Sequence, residues 1–352
     1  MFVHQPIPAD PGYWGVLTNW DGQWYEYIAT EGYPAAGAAA AATGQNPNPY
    51  MAWAFPPLFP LTVRGVMLLS GVSMPVAATM ANLAFGAAAM IILYRLLERT
   101  GGRTLAASGV LLSSCFMAAP ILQMVYSESL ALLLLVAILS TIEGRHYFAA
   151  SVLTLVLAFT RLVTAPIAVV CAVQVLHMLL RRRSSPSRKD LFGLCAVSVV
   201  AILGTWAWGW FTLIINATSP ARRPSPTSVL NFGWFGGSVR IGQWPIAVAL
   251  GILVVILVVI SLGRWTADWP LPLRTWLWVY PSFLFVVTGM HGGILRYLLL
   301  CPGLALLPAA SRGIFPPRTR TFVVMAACLL GLALQVYYID KFLVVSPGTF
   351  MP

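Results

Sequence analysis

A short segment near the start of the chain, NWDGQWYEYIATEGY at 19–33, combines carboxylates with aromatic side chains. Its acids are Asp21, Glu26 and Glu31, three of only 10 acidic residues in the chain. On a helix, at about 100° per residue, Asp21 and Glu26 lie about 140° apart and cannot act together on one substrate. A single carboxylate can still accept a proton as a general base, which typically accelerates a reaction by about 10²- to 10⁴-fold.

Two arginines interrupt apolar stretches, Arg161 in FTRL and Arg296 in ILRY. An unpaired guanidinium is costly in such surroundings, so each arginine needs an anionic partner or must extend to the lipid headgroups. The partner is either a phosphate group, which arginine binds through two parallel hydrogen bonds, or the carboxylate of Glu128 in YSESL. We predict that both arginines bind a substrate phosphate, with Tyr297 and His291 as neighbouring helpers.

Glu128 stands at the start of an apolar run, where an acid either stabilises the first turn of a helix or contacts substrate. Trp24 and Tyr25, close to Asp21, complete the predicted substrate-binding set. No cofactor is expected, and no metal ligands are assigned, since the five cysteines show no metal-ligand spacing.

The elements that position these residues follow from composition. Of 352 residues, 59% are hydrophobic and 9% charged, and the mean hydropathy of +0.81 exceeds that of soluble globular domains. Apolar runs near the roughly 20 residues that a spanning helix requires recur along the chain. We predict an all-α, polytopic transmembrane helix bundle of about ten spans: 74–97, 104–123, 126–142, 147–162, 164–180, 191–215, 245–262, 275–290, 294–309 and 321–339.

The formal net charge of +11 is explained by membrane topology rather than by nucleic-acid binding. If the ten spans alternate, five basic segments fall on one side and hold 14 of the 21 Lys and Arg residues. The positive-inside rule makes that side cytoplasmic. These segments are YRLLERTGGR, EGRH, RRRSSPSRK, GRWTADWPLPLR and SRGIFPPRTR.

The same alternation makes 1–352 one membrane-embedded domain with 1–73 as its first external loop, 74–339 as the bundle and 216–243 as another external loop. Within the first loop, the apolar part of 56–71 is too short to span and contains Arg64, so we predict an interfacial or re-entrant helix. The same topology places four of the ten acids in cytoplasmic loops and six outside or at the outer membrane edge, so we expect carboxylate chemistry to face outward: the six are Asp10, Asp21, Glu26, Glu31, Glu128 and Asp340.

The segment around Asp21 has the pattern of an amphipathic surface helix. Trp20, Trp24, Tyr27 and Ile28 follow i, i+4, i+7, i+8 spacing and form one aromatic face. We expect that face to enter the lipid headgroup region.

The segments NWDGQWYEYIATEGYP, AWAFPPLFPLTVR, YSESLALLL, LAFTRLVTAP and LRYLLLCPGLALL, in this order, resemble the bacterial PIG-V-like mannosyltransferases. These are relatives of the second mannosyltransferase of GPI-anchor assembly and belong to the GT-C membrane glycosyltransferases. The resemblance implies a GT-C fold, a polyprenyl-phosphate-linked sugar as donor and Asp21 as the acid of the first external loop. AFPPLFP and the Ala-rich stretch at 35–44 depart from the pattern of relatives.

The residues favour the same chemistry. The chain has no DxD motif and no Gly-rich phosphate loop, which disfavours a sugar-nucleotide donor. We expect inverting transfer of a sugar, mannose by resemblance, from the lipid-linked donor to a lipid, glycan or protein acceptor at the outer face of the cell membrane. Alternatives are transfer of arabinose or glucose, a lipid transporter, and a scaffold. Transporters usually carry ionisable groups near mid-membrane, which most of these spans lack.

One expectation concerns the beginning of the chain. Ten spans place both termini outside, yet residues 1–15 contain no apolar run that could act as a signal or anchor. GT-C enzymes, by resemblance, begin with a helix that runs outward immediately before the first loop. We therefore expect the natural protein to have a further transmembrane helix ahead of this sequence.

Overall fold

The computed structural model describes residues 12–35, 49–180, 187–216, 244–288, 293–310 and 316–344. Within these ranges the chain is all-helical and has no β-strand, which confirms the predicted all-α class. The α-helices are α1 (Gly12–Leu17), α2 (Asp21–Thr30), α3 (Leu58–Ser70), α4 (Met74–Ser114), α5 (Glu128–Glu143), α6 (Tyr147–Ala158), α7 (Ala165–Leu180), α8 (Arg188–Asn216), α9 (Trp244–Leu262), α10 (Leu271–Val287), α11 (Ile294–Leu298), α12 (Pro302–Ala305) and α13 (Pro317–Tyr338). Short 3₁₀ segments and one π-helical turn complete the fold: Pro49–Ala54, Ala119–Gln123, Arg264–Thr266, Leu307–Ala310 and Ile339–Leu343.

Four helices of the described chain are long and apolar enough to cross a bilayer, which indicates a membrane protein. Their large apolar side chains are widely exposed, as on Leu329 and Leu330 of α13, at 65% and 61%. A surface of this kind suits lipid rather than water. The four segments are Met74–Ser114, Arg188–Ile215, Trp244–Leu262 and Pro317–Leu343.

The predicted count of ten spans is not confirmed. The predicted spans at 126–142, 147–162, 164–180 and 275–290 correspond to α5, α6, α7 and α10, which have 16, 12, 16 and 17 residues. At about 1.5 Å per residue they measure roughly 18–26 Å, less than the ~30 Å hydrocarbon core.

The last short helices show why the length of an apolar run misled the prediction of spans. The predicted span at 294–309 is broken into α11, α12 and a 3₁₀ turn of four residues. Pro302 and Pro308 lie within it, and a proline lacks the N–H that continues a helix. Apolar composition therefore predicted a continuous span where the backbone turns repeatedly.

Helix α4 is a hairpin rather than one rod. At Gly102 the backbone has φ 80° and ψ 176°, which is not helical and is essentially restricted to glycine. The chain reverses there, and Gly109 of the second limb packs on Leu97 of the first. The sequence had assigned these limbs to separate spans, 74–97 and 104–123, but the second limb ends at Ser114.

Short connections make consecutive helices antiparallel. Residues 144–146 join α5 to α6, residues 159–164 join α6 to α7, and α6 and α7 both pack on α8. Helix α10 packs on α5, α7 and α9. The start of α5, the α6–α7 connection and the segment after α10 therefore meet at one end of the bundle, which we call the Asp21 end. The basic connections 144–146 and 263–270 lie at the opposite end.

The predicted short helix in the first loop is present as α3. It has 13 residues, packs on α2 and α4, and ends at Gly71, whose φ is 71°. Its Phe59 and Val63 are fully buried, whereas Leu68 and Leu69 are 79% and 91% exposed. One side of α3 thus contacts the protein and its end extends away from it.

Candidate functional site

Asp21 is the first residue of α2, and the two residues before it fix where that helix starts. The preceding Trp20 has φ 59°, an unusual value for a bulky residue. The side-chain Nδ2 of Asn19 donates to the backbone carbonyl of Leu343 at 3.2 Å. The backbone carbonyl of Asn19 accepts a hydrogen bond from the hydroxyl of Tyr126 at 3.0 Å. These contacts fix the start of α2 against the segment that precedes α5 and against the π-helical turn that follows α13.

Four charged side chains form a continuous chain of ion pairs at the Asp21 end. Nη2 of Arg296 lies 2.6 Å from Oδ2 of Asp21 and donates a hydrogen bond to it. Nε of Arg296 lies 3.0 Å from Oε1 of Glu128, an ion pair without hydrogen-bond geometry. Nη1 of Arg161 lies 2.6 Å from the same oxygen. We call Asp21, Arg296, Glu128 and Arg161 the charge chain; its signs alternate and its net charge is zero.

The charge chain is buried in its middle and accessible at its two ends. The side chains of Glu128 and Arg296 are 1% and 4% exposed, whereas those of Arg161 and Asp21 are 15% and 25% exposed. The two ends of the charge chain therefore keep some contact with the surface, while the central pair is enclosed. Removing one partner of a buried ion pair leaves an uncompensated charge, so these pairs cost much free energy to separate.

Tyrosine rings cover the guanidinium groups. The ring of Tyr297 has the Cζ of Arg161 at 5.0 Å and that of Arg296 at 5.1 Å, both within cation–π range. Tyr126 faces Arg296 from another direction at 4.8 Å. Tyr297 was predicted as a helper, but Tyr126 was missed; its position two residues before Glu128 in YSESL was the available signal.

Trp24 and Tyr25 are buried in the protein. Trp24 is 1% exposed and stacks on Phe55 at 6.1 Å between ring centroids. Tyr25 shares a hydrogen bond of 2.9 Å with Oγ of Ser127, next to Glu128. Burial raises the pKa of Tyr25 well above its ordinary value, so this phenol stays neutral.

The prediction that the aromatic face of α2 contacts lipid headgroups is wrong. Trp20, Trp24 and Ile28 are 6%, 1% and 0% exposed. The pattern correctly marked an apolar face, but that face packs on the residues at 49–55 and on α3 rather than on lipid. Periodicity identifies a buried face without identifying what covers it.

The other acids of α2 lie outside the charge chain. Glu26 is half-buried, and burial raises the pKa of its carboxyl. Glu31, which follows the helix, is exposed. The predicted helper His291 and nearly all of the predicted external loop 216–243 lie outside the described residues. No group of three or more potential metal-ligating side chains occurs in the described part of the chain.

The structure brings together Asp21, Glu128, Arg161, Arg296 and Tyr297, which the sequence places up to 276 positions apart. Of the open alternatives for the arginines, pairing with Glu128 is the arrangement observed. Pairing leaves N–H donors for a phosphate at Arg161, because the contact found among the described residues is through Nη1 and a guanidinium has five N–H donors.

Comparisons with family models, curated proteins and solved structures find no match to this chain.

Proposed function

We propose that this chain is a membrane glycosyltransferase that moves a sugar, mannose by the resemblance of its motifs, from a polyprenyl-phosphate donor to a lipid, glycan or protein acceptor. The observation that carries the proposal is the charge chain. It presents one accessible carboxylate, Asp21, and one accessible guanidinium, Arg161, on a protein dominated by apolar helices.

The proposed step is an inverting displacement. The acceptor oxygen forms a bond to the anomeric carbon while the bond from that carbon to the phosphate oxygen breaks. The bonding electrons leave with the polyprenyl phosphate, and Asp21 accepts the proton of the acceptor hydroxyl. Arg161 stabilises the phosphate, whose charge grows as it leaves.

Arg296 has a separate role in this proposal. Its contact with Asp21 at 2.6 Å orients the carboxylate. A weak base suffices, because the acceptor hydroxyl becomes strongly acidic as its oxygen bonds to the anomeric carbon.

The orientation is part of the proposal. The positive-inside rule assigns the basic end to the cytoplasm, so the Asp21 end faces outward, where the lipid-linked donor is taken up. The proposal assigns no nucleic acid, metal or cofactor to this chain.

The test uses two acids of the same segment. Asp21→Asn preserves shape and removes the base, so we expect sugar transfer to fall by about 10²-fold or more. Glu31→Gln makes the same charge change at an exposed position and should stay within about twofold. Membranes containing each variant are assayed with a panel of polyprenyl-phosphate sugars and native lipid extract.

Thermal unfolding of both variants separates catalysis from folding, because Asn at position 21 also deprives Arg296 of an anion. Full activity of a folded Asp21→Asn protein would exclude Asp21 as the base. The panel of sugars identifies whether mannose, arabinose or glucose is transferred.

A further inference from the structure

A polar cavity lies at the basic end of the bundle, away from the charge chain. It has a volume of about 770 Å³ and lies between the α5–α6 turn, the end of α7, the start of α8 and the α9–α10 connection. Among the described residues, three cations and three carboxylates line it: Arg145, Lys189 and Arg274, with Glu143, Asp190 and Asp268. The formal charges of these six side chains cancel, so this part of the wall suits a ligand that carries both signs better than a simple anion.

Two acceptors of the wall are unsatisfied. Gln174 is only 8% exposed, and its Oε1 has no hydrogen-bond partner among the described residues. Oε2 of Glu143 is also buried without a hydrogen-bond donor there. A buried acceptor without a donor is unfavourable, so both atoms indicate a missing donor.

The cationic part of the wall includes a residue in an unusual conformation. Arg145 has φ 59°, and only it and Trp20 have positive φ among the described non-glycine residues. Its Nη1 lies 3.4 Å from Asp190, yet the side chain is 61% exposed. This conformation is uncommon outside glycine, and such residues cluster at ligand sites, which makes Arg145 a candidate ligand contact.

We propose that this cavity binds a phospholipid headgroup that carries a phosphodiester and a primary ammonium, as phosphatidylethanolamine does. The phosphodiester pairs with Arg145 and Lys189, and the ammonium donates to Glu143 and Gln174. A lipid source follows from the position, because the cavity opens at the ends of apolar helices, where the headgroups of a bilayer lie. The site is independent of the proposed transfer reaction.

The test is a binding measurement on the full-length protein, purified in detergent and freed of lipid. Dihexanoyl forms of phosphatidylethanolamine, phosphatidylcholine and phosphatidylglycerol are titrated below their micelle concentrations, with glycerophosphoethanolamine as the soluble counterpart, and bound ligand is counted by native mass spectrometry. We expect phosphatidylethanolamine to bind at least about tenfold more tightly than the other three, because choline has no N–H and phosphatidylglycerol carries a net negative charge.

Matched variants connect binding to the cavity. Arg145→Gln should raise the Kd for phosphatidylethanolamine about tenfold or more. Arg103→Gln removes one cation at the same end of the bundle but outside the cavity, where Arg103 is 89% exposed, and should change the Kd by less than about twofold. Gln174→Leu should abolish the preference for phosphatidylethanolamine over phosphatidylcholine.

Folding is controlled by Arg145→Gly, which suits the positive φ and should bind as weakly as Arg145→Gln while melting no lower than the parent protein. Equal binding of the three lipids, a preference for phosphatidylglycerol, or equal Kd values for Arg145→Gln and Arg103→Gln would overturn the proposal. Glycerophosphoethanolamine binding as tightly as the lipid would also overturn it, in favour of a soluble ligand.

Discussion

Arg161 and Arg296 have the same chemistry but different surroundings. Arg161 contacts one carboxylate and is 15% exposed, whereas Arg296 lies between two carboxylates and is 4% exposed. The difference separates a residue that can reach a ligand from one that positions its neighbours.

The first prediction follows from that difference. Arg161→Lys exchanges a planar fork for a point charge and should raise the KM for the polyprenyl-phosphate donor about tenfold or more, with little change in melting temperature. Arg296→Lys should instead lower kcat and the melting temperature, since it disturbs the buried centre. Steady-state kinetics over a range of donor concentrations distinguish them; unchanged donor KM and kcat for Arg161→Lys would remove Arg161 from the donor site.

Glu128 compensates two guanidinium groups and is 1% exposed. Its replacement by Gln leaves Arg296 with Asp21 alone and Arg161 without its carboxylate, so we expect a loss of about 3–5 kcal/mol in the free energy of unfolding. The double variant Glu128→Gln with Arg161→Gln restores the balance of charge and should recover part of that loss. Denaturant unfolding in detergent measures both; equal stability of the parent and the single variant would show that the pairs are not structural.

The sequence predicted the members of the site better than their contacts. Asp21, Arg161 and Arg296 stood out because each is a charge beside apolar or aromatic residues, a local property. The shared use of Glu128 by both arginines depends on side-chain distances of about 3 Å across different helices. No spacing along the chain contains that information, and the one signal for Tyr126 was its position two residues before Glu128.

At the scale of elements, α4 depends on one backbone conformation. Gly102→Ala places a side chain at φ 80° and ψ 176°, so we expect a loss of about 1–3 kcal/mol in stability although no atom lies within 4 Å of the added carbon. Gly86→Ala in the same helix also meets nothing within 4 Å, has no positive φ, and should be neutral or stabilising by up to about 1 kcal/mol. Melting curves of the two variants give the comparison, and equal effects would contradict the assigned reversal.

Apolar runs predicted helices well and helix lengths poorly. The positions of α5, α6, α7 and α10 follow from composition because apolar side chains are needed on most faces of a helix inside a bundle. The ends of these helices could not be predicted in the same way, because the residue types found there also occur inside helices elsewhere. The short helices after Gly293 show the limit, since two prolines and tertiary contacts decide their breaks.

For the whole molecule, the two ends of the bundle differ in character. One end holds the charge chain and the other holds the basic connections and the polar cavity. The positive-inside rule then predicts which compartment each end contacts.

Cysteine labelling in whole cells tests this orientation. In a protein whose native cysteines have been replaced by Ala, Glu31→Cys should react with a membrane-impermeant maleimide from outside, because position 31 is exposed at the Asp21 end. Arg103→Cys should react only after the cells are permeabilised. Reaction of both from the same side would refute the orientation and, with it, an outward-facing Asp21.

The pairing of Asp21 with Arg296 also has a consequence for biosynthesis. The two residues lie 275 positions apart, so at about 5–20 residues per second Arg296 is synthesised about 14–55 s after Asp21. During that interval the proposed base lacks the residue that orients it. If Asp21 is the proposed base, a nascent chain cannot transfer sugar before Arg296 has been made and has folded against it in the membrane.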